Sequence, residues 1–158
     1  MSIQEIPVLP YGGRDGPHAL SWQLGCSQAA SCRARQLVRE FLHRWDHDEL
    51  TDDALLVTSE LVTNAVIHAA SPAGMTLSLR LVEAEADHCC VYVLVRDSGP
   101  RNAPVKPAVP DGQDSLPCTG RGLYLVDHLA RAWGDITHRG GHVVWACLPC
   151  DVSTGQAA

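Results

Sequence analysis

The sequence predicts a single α+β domain, on three observations. Two stretches near the start repeat apolar residues at helical spacing, three segments alternate apolar and polar residues, and the elements run β, α, α, β, β, loop, α, β, β. A length of 158 residues with 46% hydrophobic content suits one compact core. No internal repeat or low-complexity tract divides it.

Residues 1–17 carry Pro7, Pro10, Gly12, Gly13, Gly16 and Pro17 with little periodicity, which reads as a loose tail. The folded domain is expected over 18–150, with 151–158 as a second tail. Leu20, Trp22 and Leu24 alternate with Ser21 and Gln23 as a short strand. Ser27 can then cap a helix whose apolar face is Ala30, Ala34, Leu37, Val38, Phe41, Leu42 and Trp45. Thr51, Asp52 and Asp53 form a favourable N-terminus for a second helix, which ends before Pro72. Met75 to Leu81 and Val91 to Val95 alternate as strands joined by a polar connection, Glu83 to His88. Between Ser98 and Thr119 lie five of the ten prolines, so that stretch is a long irregular loop of the kind that often serves as a lid. A third helix is expected from Gly122 to Ala132. A strand near Trp133 to His138, a turn at Gly140-Gly141 and a last strand from His142 to Leu148 follow.

Composition narrows the function. A formal charge of -6, with only 12 Lys and Arg spread along the chain, argues against nucleic acid as a partner, because phosphate neutralisation needs clustered cations. No apolar run approaches the roughly 20 residues that cross a bilayer, and the start lacks a basic segment followed by an apolar one. A cytoplasmic protein without a membrane partner is expected. The seven cysteines read as reduced thiols. Cys147-Leu148-Pro149-Cys150 has the gap of a redox or zinc knuckle, yet it follows a strand and has no second Cys pair. His43, His47 and His68 read as packing or surface residues.

Three pieces bear on chemistry. Glu60 and Asn64 stand four apart in a helical pattern and so project from one face, where they suit an Mg-bound phosphate or a buried polar pair. Asp97 continues the parity of Val91, Val93 and Val95, placing an acid at the end of a core-facing row. A buried acid needs a partner, and an adenine amino group, a backbone amide or an Arg would serve; a plain strand-end role is the alternative. Gly120-Arg121-Gly122-Leu123 lies where the loop enters a helix, and free amides there favour phosphate. The dinucleotide fingerprint is excluded because no strand directly precedes this turn and Leu125 takes the third glycine position. No Walker, Gly-x-Ser-x-Gly or His-Glu-x-x-His pattern occurs.

In order and spacing, Glu60…Asn64, Asp97-Ser98-Gly99 and Gly120-Arg121-Gly122-Leu123 together resemble the GHKL superfamily of ATP-binding domains. Ser59 to His68 looks most like the anti-sigma-factor serine kinases of the RsbW and SpoIIAB type, and Gly120 to Val126 with Val144-Trp145-Ala146 is similar to their short single-domain members common in actinobacteria. The resemblance covers roughly residues 18 to 149. It implies a two-layer α/β sandwich (the Bergerat fold), with a mixed, mostly antiparallel sheet covered on one face by helices. It also implies ATP and Mg2+ as cofactors. Glu60 would be the catalytic base, Asn64 the Mg ligand and Asp97 the adenine contact. Gly99 would permit the backbone bend, and Gly120, Arg121, Gly122 and Leu123 would form the phosphate turn. The implied partners are a sigma factor and an anti-anti-sigma protein phosphorylated on serine or threonine, and a homodimer is compatible with it. The alternative is a non-catalytic ATP-binding module that regulates a partner by contact alone. Two departures stand out: Pro100 directly follows Gly99, and Val143 stands where relatives carry a Thr that supports the adenine-binding Asp.

Overall fold

The computed structural model describes residues 18–68, 74–84, 88–98, 121–138 and 141–151. The two tails, apart from Asp151, and the proline-rich loop with Gly99 and Gly120 lie outside the described residues. The element order is β1 (Ala19–Leu24), α1 (Ala29–Arg44), α2 (Thr51–His68), β2 (Met75–Ala84), β3 (His88–Asp97), α3 (Arg121–Leu129), β4 (Ala132–His138) and β5 (Gly141–Asp151), with a 3-10 turn at Asp48–Leu50 before α2.

The strands form one sheet in the order β1-β2-β3-β5-β4, antiparallel at every described pairing. Alternation sets which face is buried. Met75, Leu77, Leu79 and Leu81 on β2, Val91, Val93 and Val95 on β3, and Val144, Ala146 and Leu148 on β5 all join one buried cluster. Onto that face pack Ala34, Leu37, Val38 and Phe41 of α1, and Ala54, Val57, Leu61, Val62 and Ala65 of α2. Each large side chain taken from water in this layer contributes about 1.5–3 kcal/mol. The expected two-layer α+β sandwich is therefore the fold. Among the described residues no helix is long and apolar enough to cross a membrane.

Several boundaries differ from expectation for local reasons. Helix α1 starts at Ala29 after Gln28, with no side-chain cap; Ser27 contributes its carbonyl, which accepts from Ala30 N–H at 2.9 Å. Helix α3 stops at Leu129 rather than Ala132, because Arg131 N–H already donates to Cys147 O at 2.8 Å and Ala132 pairs with Cys147 on β5. Strand β5 continues through Pro149 to Asp151. Its ladder with β4 ends at Cys147, and beyond that point only β3 pairs with it among the described residues, so a proline without an N–H is tolerated.

The cysteines require a correction. Cys89 and Cys150 are directly opposed on β3 and β5, with Cα atoms 5.0 Å apart, and are joined in a disulfide. The reading of all thiols as reduced missed a pairing that depends on strand register across 61 residues. The Cys147-x-x-Cys150 gap is no chelate either. Three residues along a strand reverse the face, so Cys150 joins the helix-side core while Cys147 points to the opposite side beside Tyr92 and Cys90.

Candidate functional site

Helix α2 supplies the first wall. Its core stripe runs through Ala54, Val57, Thr58, Leu61, Val62 and Ala65, and its exposed side includes Asp52, Asp53, Leu56, Thr63 and Ile67. Glu60 and Asn64 lie half-buried on the flank between the two, one turn apart. Burial raises the pKa of Glu60 above the ordinary 4.5, because a carboxylate loses hydration there.

Helix α3 supplies the second wall. It packs against α2 through its first turn, where Gly122 is buried. A Cβ on Gly122 would overlap the Glu60 carboxylate, standing 2.6 Å from its Cδ and in still closer contact with Oε2. The carboxylate thus rests on the bare backbone at the helix start. Two residues separated by 62 positions, each singled out from the sequence, meet here. Leu123 turns partly inward against the core and Val126 is fully buried, which anchors the helix. Arg121 opens the helix.

The sheet supplies the floor. Asp97 ends β3 on the helix-facing side and is 2% exposed, as parity predicts. His142, opposite Asp97 in the β3–β5 register, is completely buried. Its Nδ1 lies 3.7 Å from Asp97 Oδ2, and its Nε2 is 2.9 Å from Asp135 Oδ2 on β4. The imidazole is hydrogen-bonded to Asp135 and turns a buried Nδ1, without a hydrogen-bond partner among the described residues, toward Asp97. Gly141 precedes it with φ +133°, and a Cβ there would strike the Asp97 carbonyl. Glycine is needed for β5 to start this close to Asp97.

His142 was missed, and Val143 was misplaced. Val143 pairs with Arg96 and faces the other side of the sheet, so it does not stand beside Asp97. A signal existed, since His142 begins the row Val144, Ala146, Leu148 and should share the core face with Asp97. Of the predicted site, the structure brings Glu60 and Gly122 into contact and places Asn64 one turn from Glu60. It puts Asp97 on the same side of the sheet, the side that α2 covers over β3 and β5. Gly99 and Gly120 lie outside the described residues.

A model of the histidine kinase-like ATPase domain matches residues 27–148, most of the chain. The chain belongs to this family. The ATPase domain accordingly carries its three sequence pieces on α2, the end of β3 and the start of α3, and ATP is the nucleotide the family implies. Its fold is also similar to the crystal structure of the RsbU and RsbW domains of Rv1364c from Mycobacterium tuberculosis, at 19% identity and a TM-score of 0.56. That similarity covers 84% of this chain and 32% of the other, so the ATPase domain spans about a third of that chain's length. No curated protein matches it.

Proposed function

We propose that this ATPase domain is an anti-sigma regulator that binds ATP with Mg2+ and phosphorylates a serine or threonine of an anti-anti-sigma partner, releasing or capturing a sigma factor by partner switching. The observation that carries the catalytic part is the Glu60 carboxylate held against the backbone of Gly122 with a raised pKa. A carboxylate poised at the entry of the phosphate turn, with its proton affinity raised by burial, suits a general base for a hydroxyl nucleophile. Phosphoryl transfer asks mainly for positioning and charge neutralisation, so few groups suffice.

In this proposal the Asn64 side-chain oxygen is a hard donor that fits Mg2+, one turn from the base Glu60. The metal, when bound, supplies charge neutralisation at the phosphates. Asp97 accepts a hydrogen bond from the adenine amino group, and its buried position at the strand end keeps water from competing. The amides of Gly120, Arg121, Gly122 and Leu123 receive phosphate at the N-terminus of α3, with Gly99 bending the chain beneath the base. The sigma-factor and anti-anti-sigma partners rest on the likeness of Ser59 to His68 to the anti-sigma kinases and on a fold shared with a chain whose described domains include RsbW. A cytoplasmic setting, where ATP and such partners meet, belongs to the same proposal.

The deciding experiment incubates the purified chain with labelled ATP, Mg2+ and cell extract. Label transfer to a small partner protein that is lost in Glu60→Ala, while nucleotide binding persists, supports the kinase. ATP binding with no transfer to any partner would leave the module that regulates by contact alone.

A further inference from the structure

Three buried donors meet at the end of the sheet away from the nucleotide site. Cys89 lies eight residues back along β3 from Asp97, roughly 26 Å at strand rise. His47 reaches this end because Asp46 adopts a left-handed conformation, φ 57°, after α1. The His47 N–H then donates back to Leu42 O at 2.9 Å, folding the imidazole inward. His47, Cys89 and Cys150 are all buried, at 6%, 3% and 7% exposure, and their donor atoms lie within 4.8 Å of one another.

The orientation of the ring is informative. His47 Nδ1 is 3.0 Å from Glu49 Oε1, and a carboxylate can only accept, so Nδ1 carries the proton. Nε2 then presents its lone pair 3.7 Å from Cys89 Sγ. A disulfide has no hydrogen to offer that lone pair. A carboxylate–histidine pair aimed at two sulfurs is the arrangement that orients a metal-binding imidazole.

We propose that His47 Nε2, Cys89 Sγ and Cys150 Sγ form a metal site for a thiophilic divalent ion, zinc by donor set, which is open when the two cysteines are reduced and closed when they are joined. Metal–donor lengths of about 2.3 Å to sulfur and 2.0–2.1 Å to nitrogen at a tetrahedral angle put donors roughly 3.5–3.8 Å apart, which the existing His47–Cys89 spacing already meets. Solvent supplies the fourth ligand. Opening the site consumes one dithiol reductant, which gives two electrons and two protons to the disulfide and is itself oxidised to a disulfide. Zinc then binds the two thiolates and releases those two protons. The ion ties the turn after α1 to β3 and β5, so occupancy stiffens the end of the sheet opposite Asp97. The site stands on its own residues and does not depend on the kinase reading.

The test titrates the reduced, metal-free chain with cobalt(II) and then displaces it with zinc, in a Cys26→Ser/Cys32→Ser/Cys90→Ser background that removes the exposed and part-exposed free thiols among the described residues. One equivalent of cobalt with a thiolate charge-transfer band is expected, with at least tenfold weaker binding in His47→Ala and in Cys150→Ser. Glu49→Gln weakens it by tenfold or more. A ligand variant can alter folding for unrelated reasons, so the background polypeptide with all three donors intact is also measured after oxidation, when it should bind no metal. No uptake by the reduced chain, equal uptake by the oxidised chain, or folded His47→Ala binding as tightly as the parent would each overturn the proposal.

Discussion

Gly122 leaves open the space that the Glu60 carboxylate fills, and this contact joins α2 to the first turn of α3. Gly122→Ala introduces a methyl group into that carboxylate. Glutamate is flexible and can swing aside, so the expected stability loss is modest, about 1–3 kcal/mol, while in the proposed reaction displacement of Glu60 is expected to remove phosphoryl transfer. Thermal unfolding and label transfer measured side by side should separate the two. Adding Glu60→Ala to Gly122→Ala should recover stability without activity, and a double variant no more stable than the single one would contradict the contact.

Glu60 also makes a pH prediction. Its pKa is raised in the folded protein by burial, so the folded state holds a proton over a range where the unfolded chain has lost it. Stability contributed by the protonated form is therefore lost as pH rises from the ordinary glutamate range through the folded value. Glu60→Gln should unfold at a higher temperature than the parent at neutral pH, with the gap closing below about pH 4. A gap that widens on acidification would reverse the assignment. In the proposed reaction the acid limb of the rate profile should lie above the ordinary glutamate value.

Asn64→Ala should abolish Mg-dependent ATP binding and leave the fold intact, since Asn64 lies on the flank of α2 outside its core stripe. Calorimetric titration with and without Mg2+, alongside circular dichroism, checks both halves. Undiminished Mg-dependent affinity would remove Asn64 from the site.

His142 is expected to support Asp97. His142→Ala strips Asp135 of a 2.9 Å hydrogen bond and opens a cavity in a fully buried position. The expected loss is about 2–4 kcal/mol of stability, read as a lower denaturant midpoint. Weaker adenine-nucleotide binding should accompany it, and Asp97→Asn should weaken binding with a smaller effect on stability. Should His142→Ala bind ATP as the parent does, the imidazole would be a packing residue alone.

The thiols should divide sharply in reactivity. Burial, aided by hydrogen bonding with Cys90, pushes the Cys147 thiol up to about 12, whereas Cys32 is exposed on α1. Alkylation followed by peptide mass mapping should label Cys32 rapidly and Cys147 only after unfolding. Fast labelling of Cys147 in the native protein would contradict its placement.

Much of this molecule is determined locally, and there the sequence by itself suffices. Period-3.6 apolar spacing defines α1 and α2, period-2 alternation defines β2 and β3, and the same alternation predicts a buried Asp97 because each rule acts over a few neighbouring residues. The i, i+4 spacing of Glu60 and Asn64 likewise follows from helix geometry alone. Tertiary structure decided what depends on register and on contacts between distant segments. Whether Glu60 meets Gly122, whether His142 stands directly opposite Asp97, and whether Cys150 joins Cys89 rather than Cys147 are all set by which strands pair and how helices cross them. A shift of one residue in the β3–β5 pairing would reverse each side chain between the two faces. No local pattern carries that information.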